Sequence, residues 1–236
     1  MNLLLLREAD FREDGTVRLT GRRLLHAREV LRAAAGDAVR VGRLGGLLGT
    51  GEILRLDDAE LVLRPELTDA PPPRAGADLL VAIPRPKALR RILPAAASLG
   101  VDRIVLLNAA RVEKSYFDSG VLAPGSVEEL LVLGLEQARD TRLPEVLVRP
   151  RFRPFVEDEL DALWPETLRL VAHPGAPAAP PRTARRVVLA VGPDGGWVPF
   201  ELDLLRAHGF TVFGLGPRTL RVEVAVPYAL GALRRP

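Results

Sequence analysis

Two arginines, Arg218 and Arg221, close a turn in the stretch FGLGPRTLRVEVA (213–225), and a second glycine-rich turn, Gly192–Gly196, interrupts VVLAVGPDGGW (187–197). Each stretch reads as a buried strand that runs through its turn into a helix. Glycine permits positive φ and lets main chain approach a ligand with no Cβ in the way. Two such turns at the ends of neighbouring strands would wall a pocket whose polar groups are main-chain N–H and C=O. Arginine adds a planar, permanently charged fork suited to phosphate. The chemistry that fits is the holding of a small cofactor beside a polyanion.

A second cluster lies in PRPKALRRILPAAASLG (84–100). Pro86 suits the first position of a helix, which puts Lys87, Arg90 and Arg91 on one face and Ile92, Leu93, Ala96 and Leu99 on the other. Cations in a first turn oppose the helix dipole by a few tenths of a kcal/mol each, about enough to suggest an anionic partner. LGLEQARDTRLPEV (133–146) adds a charged helix end before a strand. Other chemistries lose their support. The chain has no cysteine, which excludes disulfides, thiol catalysis and zinc–thiolate sites. His26, His173 and His208 are isolated, so no metal site is expected. The G-x-G-x-x-G, P-loop and G-x-S-x-G patterns are missing.

The elements that must position these groups fall into two regions. Residues 1–68 carry short β-like runs, which suggest a small antiparallel barrel or sheet, and one helix over 21–34 with Leu24, Leu25, Val30 and Leu31 on its apolar face. His26, Arg28 and Arg32 are then left toward solvent or a partner. A proline-rich linker follows at 69–77. Over 78–236 the apolar runs DLLVAI, RIVLLN, EVLVRP, LRLVAH, VVLAVG and FTVFGLG alternate with helix-length segments. That pattern implies an α/β domain with a mostly parallel sheet covered on both faces. SVEE reads as a capping box of Ser126 and Glu129 that opens a helix over 126–139, and a further helix should begin near Pro199. The run 173–182 reads as a surface loop.

With 47% apolar and 27% charged residues, the 236-residue chain is expected to be globular with a sizeable core. Its net charge of +3 is too small to argue for nucleic acid on its own, so the placement of the arginines has to carry that case. MNLLLLREADF holds a leucine run far too short for a membrane span and no basic leader, so a cytoplasmic location with no membrane partner is expected.

The motifs HAREVLRAAAGD (26–37), Lys87–Arg90, LGV (99–101), EQ…LPEV (136–146), VGPDGG and LGPRTLRVE-x-A, in this order over nearly the whole chain, resemble the RsmE family of ribosomal RNA methyltransferases. The resemblance implies a SPOUT-type α/β domain with a trefoil knot near its C-terminus, preceded by a PUA-like β-barrel. It implies transfer of a methyl group from S-adenosylmethionine to N3 of a uridine in 16S ribosomal RNA, on naked RNA or a small-subunit particle, by a homodimer.

By the same resemblance, the cofactor positions are Ala172, His173, Val191, Gly192, Pro193, Asp194, Gly195, Gly196, Leu215, Gly216, Arg218 and Leu220. Arg221 is expected to be catalytic, and His26, Arg32, Lys87, Arg90 and Arg91 to contact RNA. Asp194 stands where the family usually has Glu, Ser98 replaces another Glu, Asp140 replaces an Arg, and Val224 replaces a Thr. Two alternatives stay open: a non-catalytic RNA-binding or ribosome-assembly protein on the same scaffold, and a SPOUT methyltransferase with another RNA target.

Overall fold

Strands buried on both faces must be apolar at every position, because no side of them meets water. The inner strands of a six-stranded sheet come close to this rule, with Val187–Val191 apolar and buried throughout, while its two edge strands, Glu145–Arg149 and Thr211–Phe213, stay partly exposed. The computed structural model describes residues 3–177, 179 and 181–233. By its contacts the chain divides into two compact units, Met1–Pro73 with Val132–Leu143, and Arg74–Leu131 with Pro144–Pro236.

The first unit holds β1 (Leu4–Leu6), β2 (Val17–Leu19), α1 (Gly21–Leu25), β3 (Ala38–Arg43), β4 (Leu48–Leu56) and β5 (Leu61–Asp69). They form one sheet in the order β1-β3-β4-β5-β2. The β3–β4, β4–β5 and β5–β2 pairs are antiparallel, as the sequence suggests, but β1 pairs with β3 in parallel. The crossover that carries α1 makes that direction possible, since a parallel pair needs a long connection. Leu4, Leu6, Val17, Leu19, Leu24, Ala27, Val41, Ile53, Leu61 and Leu63 form the core of this unit.

The expected apolar face of the 21–34 helix is corrected here. α1 passes into a π-helical turn, His26–Val30, which adds a residue to the turn and rotates the side chains that follow. Arg32, at φ +51°, then ends the helix. Leu24 is buried, whereas Leu25, Val30 and Leu31 face solvent. Residues 132–143, which the sequence reading assigns to the second domain, cluster with this unit. The Arg22 guanidinium donates to Glu136 at 2.8 Å, Thr141 Oγ1 donates to the Gly46 carbonyl at 2.6 Å, and Gly45 N–H donates to the Thr141 carbonyl at 2.7 Å.

The second unit contains β6 (Ala77–Ala82), α2 (Pro86–Ser98), β7 (Arg103–Leu107), α3 (Pro124–Ala138), β8 (Glu145–Arg149), α4 (Phe152–Pro154), α5 (Leu160–Leu163), β9 (Leu168–Ala172), β10 (Val187–Val191), α6 (Pro199–Ala207), β11 (Thr211–Phe213) and α7 (Val222–Leu233), with α3 leaving it at Val132. α3 starts at Pro124, so Ser126 is its third residue and not its cap, a correction to the capping-box expectation. Proline suits a first helical position because its missing N–H would have no partner there.

The six strands form a sheet in the order β11-β9-β10-β6-β7-β8, with every described pair parallel. Leu80, Val105, Leu107, Val171, Val188 and Ala190 pack with Phe155, Trp164, Trp197, Leu202 and Leu205 in one core. α2 and α7 pack against each other. No helix among the described residues is long and apolar enough to cross a membrane. Of the proline-rich run 173–182, residues 178 and 180 lie outside the described residues.

Candidate functional site

Register brings the chemistry-bearing loops together. Phe213 is opposite Ala172 and Ala172 is opposite Val191, so β11, β9 and β10 all end at the same level. The loops that leave those ends surround a cleft open to solvent, lined by Ala172, His173, Pro174, Val191, Gly192, Pro193, Asp194, Gly196, Leu215, Gly216, Arg218, Thr219, Leu220, Val222 and Ala225. In parallel sheets, ligands collect at this edge.

Each loop owes its shape to specific contacts. Gly196 takes φ +72° and donates its N–H to the Pro193 carbonyl at 2.7 Å, closing a tight turn. At Gly192 a Cβ would lie 3.1 Å from the main-chain nitrogen and the indole of Trp197, so the loop returns across its own start. Glu201, buried in the first turn of α6, accepts Val198 N–H at 3.0 Å through one oxygen and Ala110 N–H at 2.6 Å through the other. That carboxylate joins the loop after β7 to the loop after β10. Arg111, next in the chain, donates to the Gly195 carbonyl.

His173 N–H donates to the Phe213 carbonyl at 3.0 Å, which ties β9 to β11 at the cleft floor. Its Nδ1 is buried with no partner. Burial, then the charges of Arg206 and Arg111, hold the imidazole below its ordinary pKa, so it is neutral near pH 7. Tyr116 stands near Asp194. Burial first, then the hydrogen bond and charge of Glu113 and the charge of Asp194, push its phenol upward against Arg85.

The wall from Leu215 to Leu220 is open for bonding. Among the described residues, the main-chain N–H groups of Leu215, Gly216, Arg218, Thr219 and Leu220 donate no hydrogen bond within the protein. Exposed donors beside Val191, Leu215, Leu220, Val222 and Ala225 form an apolar slot with a polar edge, which suits a flat heteroaromatic ring read by main chain.

Eleven of the twelve expected cofactor positions line this cleft; Gly195 does not. Arg221 is exposed between two lining residues, Leu220 and Val222, and its carbonyl accepts the N–H groups of Val224 and Ala225 at 2.9 and 2.8 Å. Lys87, Arg90 and Arg91 are exposed on α2, and Arg91 lies 3.5 Å from Glu223. His26 is half-buried and Arg32 exposed on the first unit. The sequence reading missed Pro174, Thr219, Val222 and Ala225 in the lining, and also Arg85, Arg111, Tyr116, Glu201 and Glu223 around it. Lining residues adjacent to the motifs were within reach of it. The rest act through contacts distant in sequence.

The chain is similar to known proteins over most of its length. Residues 71–234 match the family profile of an RNA methyltransferase domain. The ribosomal RNA small subunit methyltransferase E of Treponema pallidum is 33% identical over 211 residues, covering 86% of this chain and 79% of the relative. The protein of the same name from Synechocystis is 27% identical over 232 residues, covering 93% and 73%. In fold, the chain is similar to the ribosomal RNA small subunit methyltransferase E of Neisseria gonorrhoeae solved with bound S-adenosyl methionine, with a TM-score of 0.76, 22% identity, and 97% and 95% of the two chains covered. On the profile match and the Treponema relative together, the chain belongs to the RsmE family of ribosomal RNA methyltransferases.

Proposed function

We propose that this protein transfers the methyl group of S-adenosylmethionine to N3 of a uridine in 16S ribosomal RNA, in the cytoplasm. The observation that carries the reading is the cleft between the loops after β9, β10 and β11, with its unengaged N–H groups from Leu215 to Leu220. Those donors and the apolar slot would hold the adenine and ribose, and neutral His173 avoids placing a second positive charge beside a sulfonium. When bound, the cofactor supplies an electrophilic methyl group whose C–S bond breaks as the bond to N3 forms.

The chain's residues do the rest by placement and charge. The uridine N3–H proton is lost as the methyl arrives, and water takes it. Arg221 stabilises the negative charge that develops on a uracil carbonyl. Arg218 holds the loop against the cofactor. Lys87, Arg90 and Arg91 on α2, with His26 and Arg32 on the first unit, contact RNA, mainly its phosphates. The reading includes a trefoil knot formed by the cleft loops and a PUA-like barrel in the first unit. It also includes a homodimer, supported by Val224 and Tyr228, which stand one turn apart and exposed on α7.

Calorimetry with S-adenosylmethionine, followed by mass spectrometry of 16S RNA treated with the purified protein, tests this directly. The expected result is binding and one added methyl on a uridine. RNA binding with no cofactor binding would instead point to an assembly protein on the same scaffold.

A further inference from the structure

Glu223 sits in the first turn of α7 between Val222 and Ala225, two residues of the cleft wall, with only 6% of its side chain exposed. Its Oε1 faces two guanidinium groups, Arg85 at 3.4 Å and Arg91 at 3.5 Å, while Oε2 is buried without a partner. Arg85 precedes α2 just past the end of β6, at the same sheet edge as the cleft. Its contact with Glu223, whose chain neighbours Val222 and Ala225 line the cleft, sets Arg85 beside the cleft mouth.

A carboxylate buried this far costs several kcal/mol in lost hydration, about what a well-placed cation returns. Stability alone would be served as well by an apolar side chain. What the arrangement provides is orientation. One carboxylate fixes two arginines whose side chains remain 40% and 59% exposed, so both forks still have N–H groups to offer outward. Two cations on one anion leave a surplus positive charge, and exposed Lys87 and Arg90 extend it along α2. Arg85 Nε is itself buried with no partner.

We propose that Arg85, held beside Arg91 by the buried carboxylate of Glu223, binds a phosphate of the RNA strand at the cleft mouth, with Glu223 as the positioning residue for both arginines. The role rests on the methyltransferase reading above, and its test separates from that reading.

The experiment is equilibrium binding of a 16S-derived RNA hairpin by the full chain over a salt series, with steady-state methylation beside it. Arg85→Ala should lower the slope of log affinity against log salt by about 0.7 to 0.9, the loss of one phosphate contact. Arg85→Lys keeps the charge and should keep the slope. Glu223→Gln leaves both cations in place, so the slope holds while KM for RNA rises about tenfold through misplaced forks. Cofactor affinity should stay within about twofold in every variant, because none of these side chains lines the cleft. An unchanged slope in Arg85→Ala overturns the phosphate role, and an unchanged KM in Glu223→Gln overturns the positioning role. If the wild-type chain binds RNA but transfers no methyl, the enzyme reading fails, while the Arg85 slope and the RNA affinity of Glu223→Gln still decide this inference.

Discussion

Glu201 holds Ala110 N–H at 2.6 Å with one carboxylate oxygen while the other takes Val198 N–H, so one buried side chain joins two loops that are far apart in sequence. Hydrogen bonds to a charged group contribute about 1.5–3 kcal/mol each, and a buried donor left unpaired costs a similar amount. Glu201→Ala should therefore destabilise the protein by about 3 kcal/mol. It should also weaken S-adenosylmethionine binding about tenfold, since Gly192–Gly196 loses its tie to the loop after β7. Urea unfolding and calorimetry read the two effects. A variant with native stability and affinity would remove Glu201 from the positioning of the cleft.

The two turns depend on glycine for different reasons, and the difference is measurable. Gly216 takes φ +100° with open space where a Cβ would go, so Gly216→Ala meets only backbone strain, about 1–2 kcal/mol. Gly192 shows the reverse, because its Cβ would press on the main-chain nitrogen and indole of Trp197 at 3.1 Å. Gly192→Ala should shift the 192–197 loop and change the fluorescence of Trp197, while Gly216→Ala leaves that signal alone. Identical spectra for the two variants would contradict this division.

The inner strands of the parallel sheet were legible because burial on both faces leaves an apolar run that needs no knowledge of the partner strands. The partly exposed edge strands β8 and β11 still carry short apolar cores, VLV and VF. Most of the cleft lining was legible too, since Gly192–Gly196 and Leu215–Leu220 carry their turns locally. The supporting layer was not. Ala110 meets Glu201 across 91 residues and Arg111 meets Gly195 across 84, and nothing periodic in RVEKSYFDSG signals either contact. SVEE looked like a helix start because its spacing fits a capping box, but Pro124 begins the helix two residues earlier. Residues 132–143 follow directly on the rest of α3, so no break in composition marks their grouping with the first unit.

Protonation of His173 should leave a signature in stability. Its folded pKa lies below the ordinary 6.5, through burial first and then the charges of Arg206 and Arg111. Above pH 6.5 the ring is neutral folded or unfolded, and its contribution is fully present. As pH falls below that value the unfolded chain takes up the proton first, so stability drops until the folded value is passed. Cofactor affinity should fall at still lower pH, as the folded ring itself takes up the proton, because an imidazolium would face the sulfonium. His173→Asn should flatten this part of the stability–pH curve measured by urea unfolding. An unaltered curve would mean that the ring does not carry the effect.

Arg221 offers a clean separation of chemistry from folding. Its carbonyl fixes the first turn of α7 through Val224 and Ala225, a main-chain role that survives any side-chain change, while the guanidinium is exposed beside the cleft. Arg221→Ala should lower kcat about 10²- to 10³-fold, the range found when one stabiliser of developing charge is removed. The dissociation constant for S-adenosylmethionine should stay within about twofold, since the side chain does not line the cleft. Full turnover by this variant would reject the assignment.

Glu136 belongs to the EQ…LPEV motif that contributes to the family resemblance, and its contact is structural. It is fully buried in the first unit, with Arg22 at 2.8 Å on one oxygen and no partner on the other. Removing one member of such a pair strands a charge away from water, at a cost of about 3–5 kcal/mol. Arg22→Ala should reach that range, while Glu136→Gln, which leaves no buried charge, should cost clearly less. Urea midpoints for the two single variants and the double variant decide the matter. If Arg22→Ala costs no more than Glu136→Gln, the pair does not anchor residues 132–143 to the first unit, and Glu136 has to be sought among the groups that meet RNA.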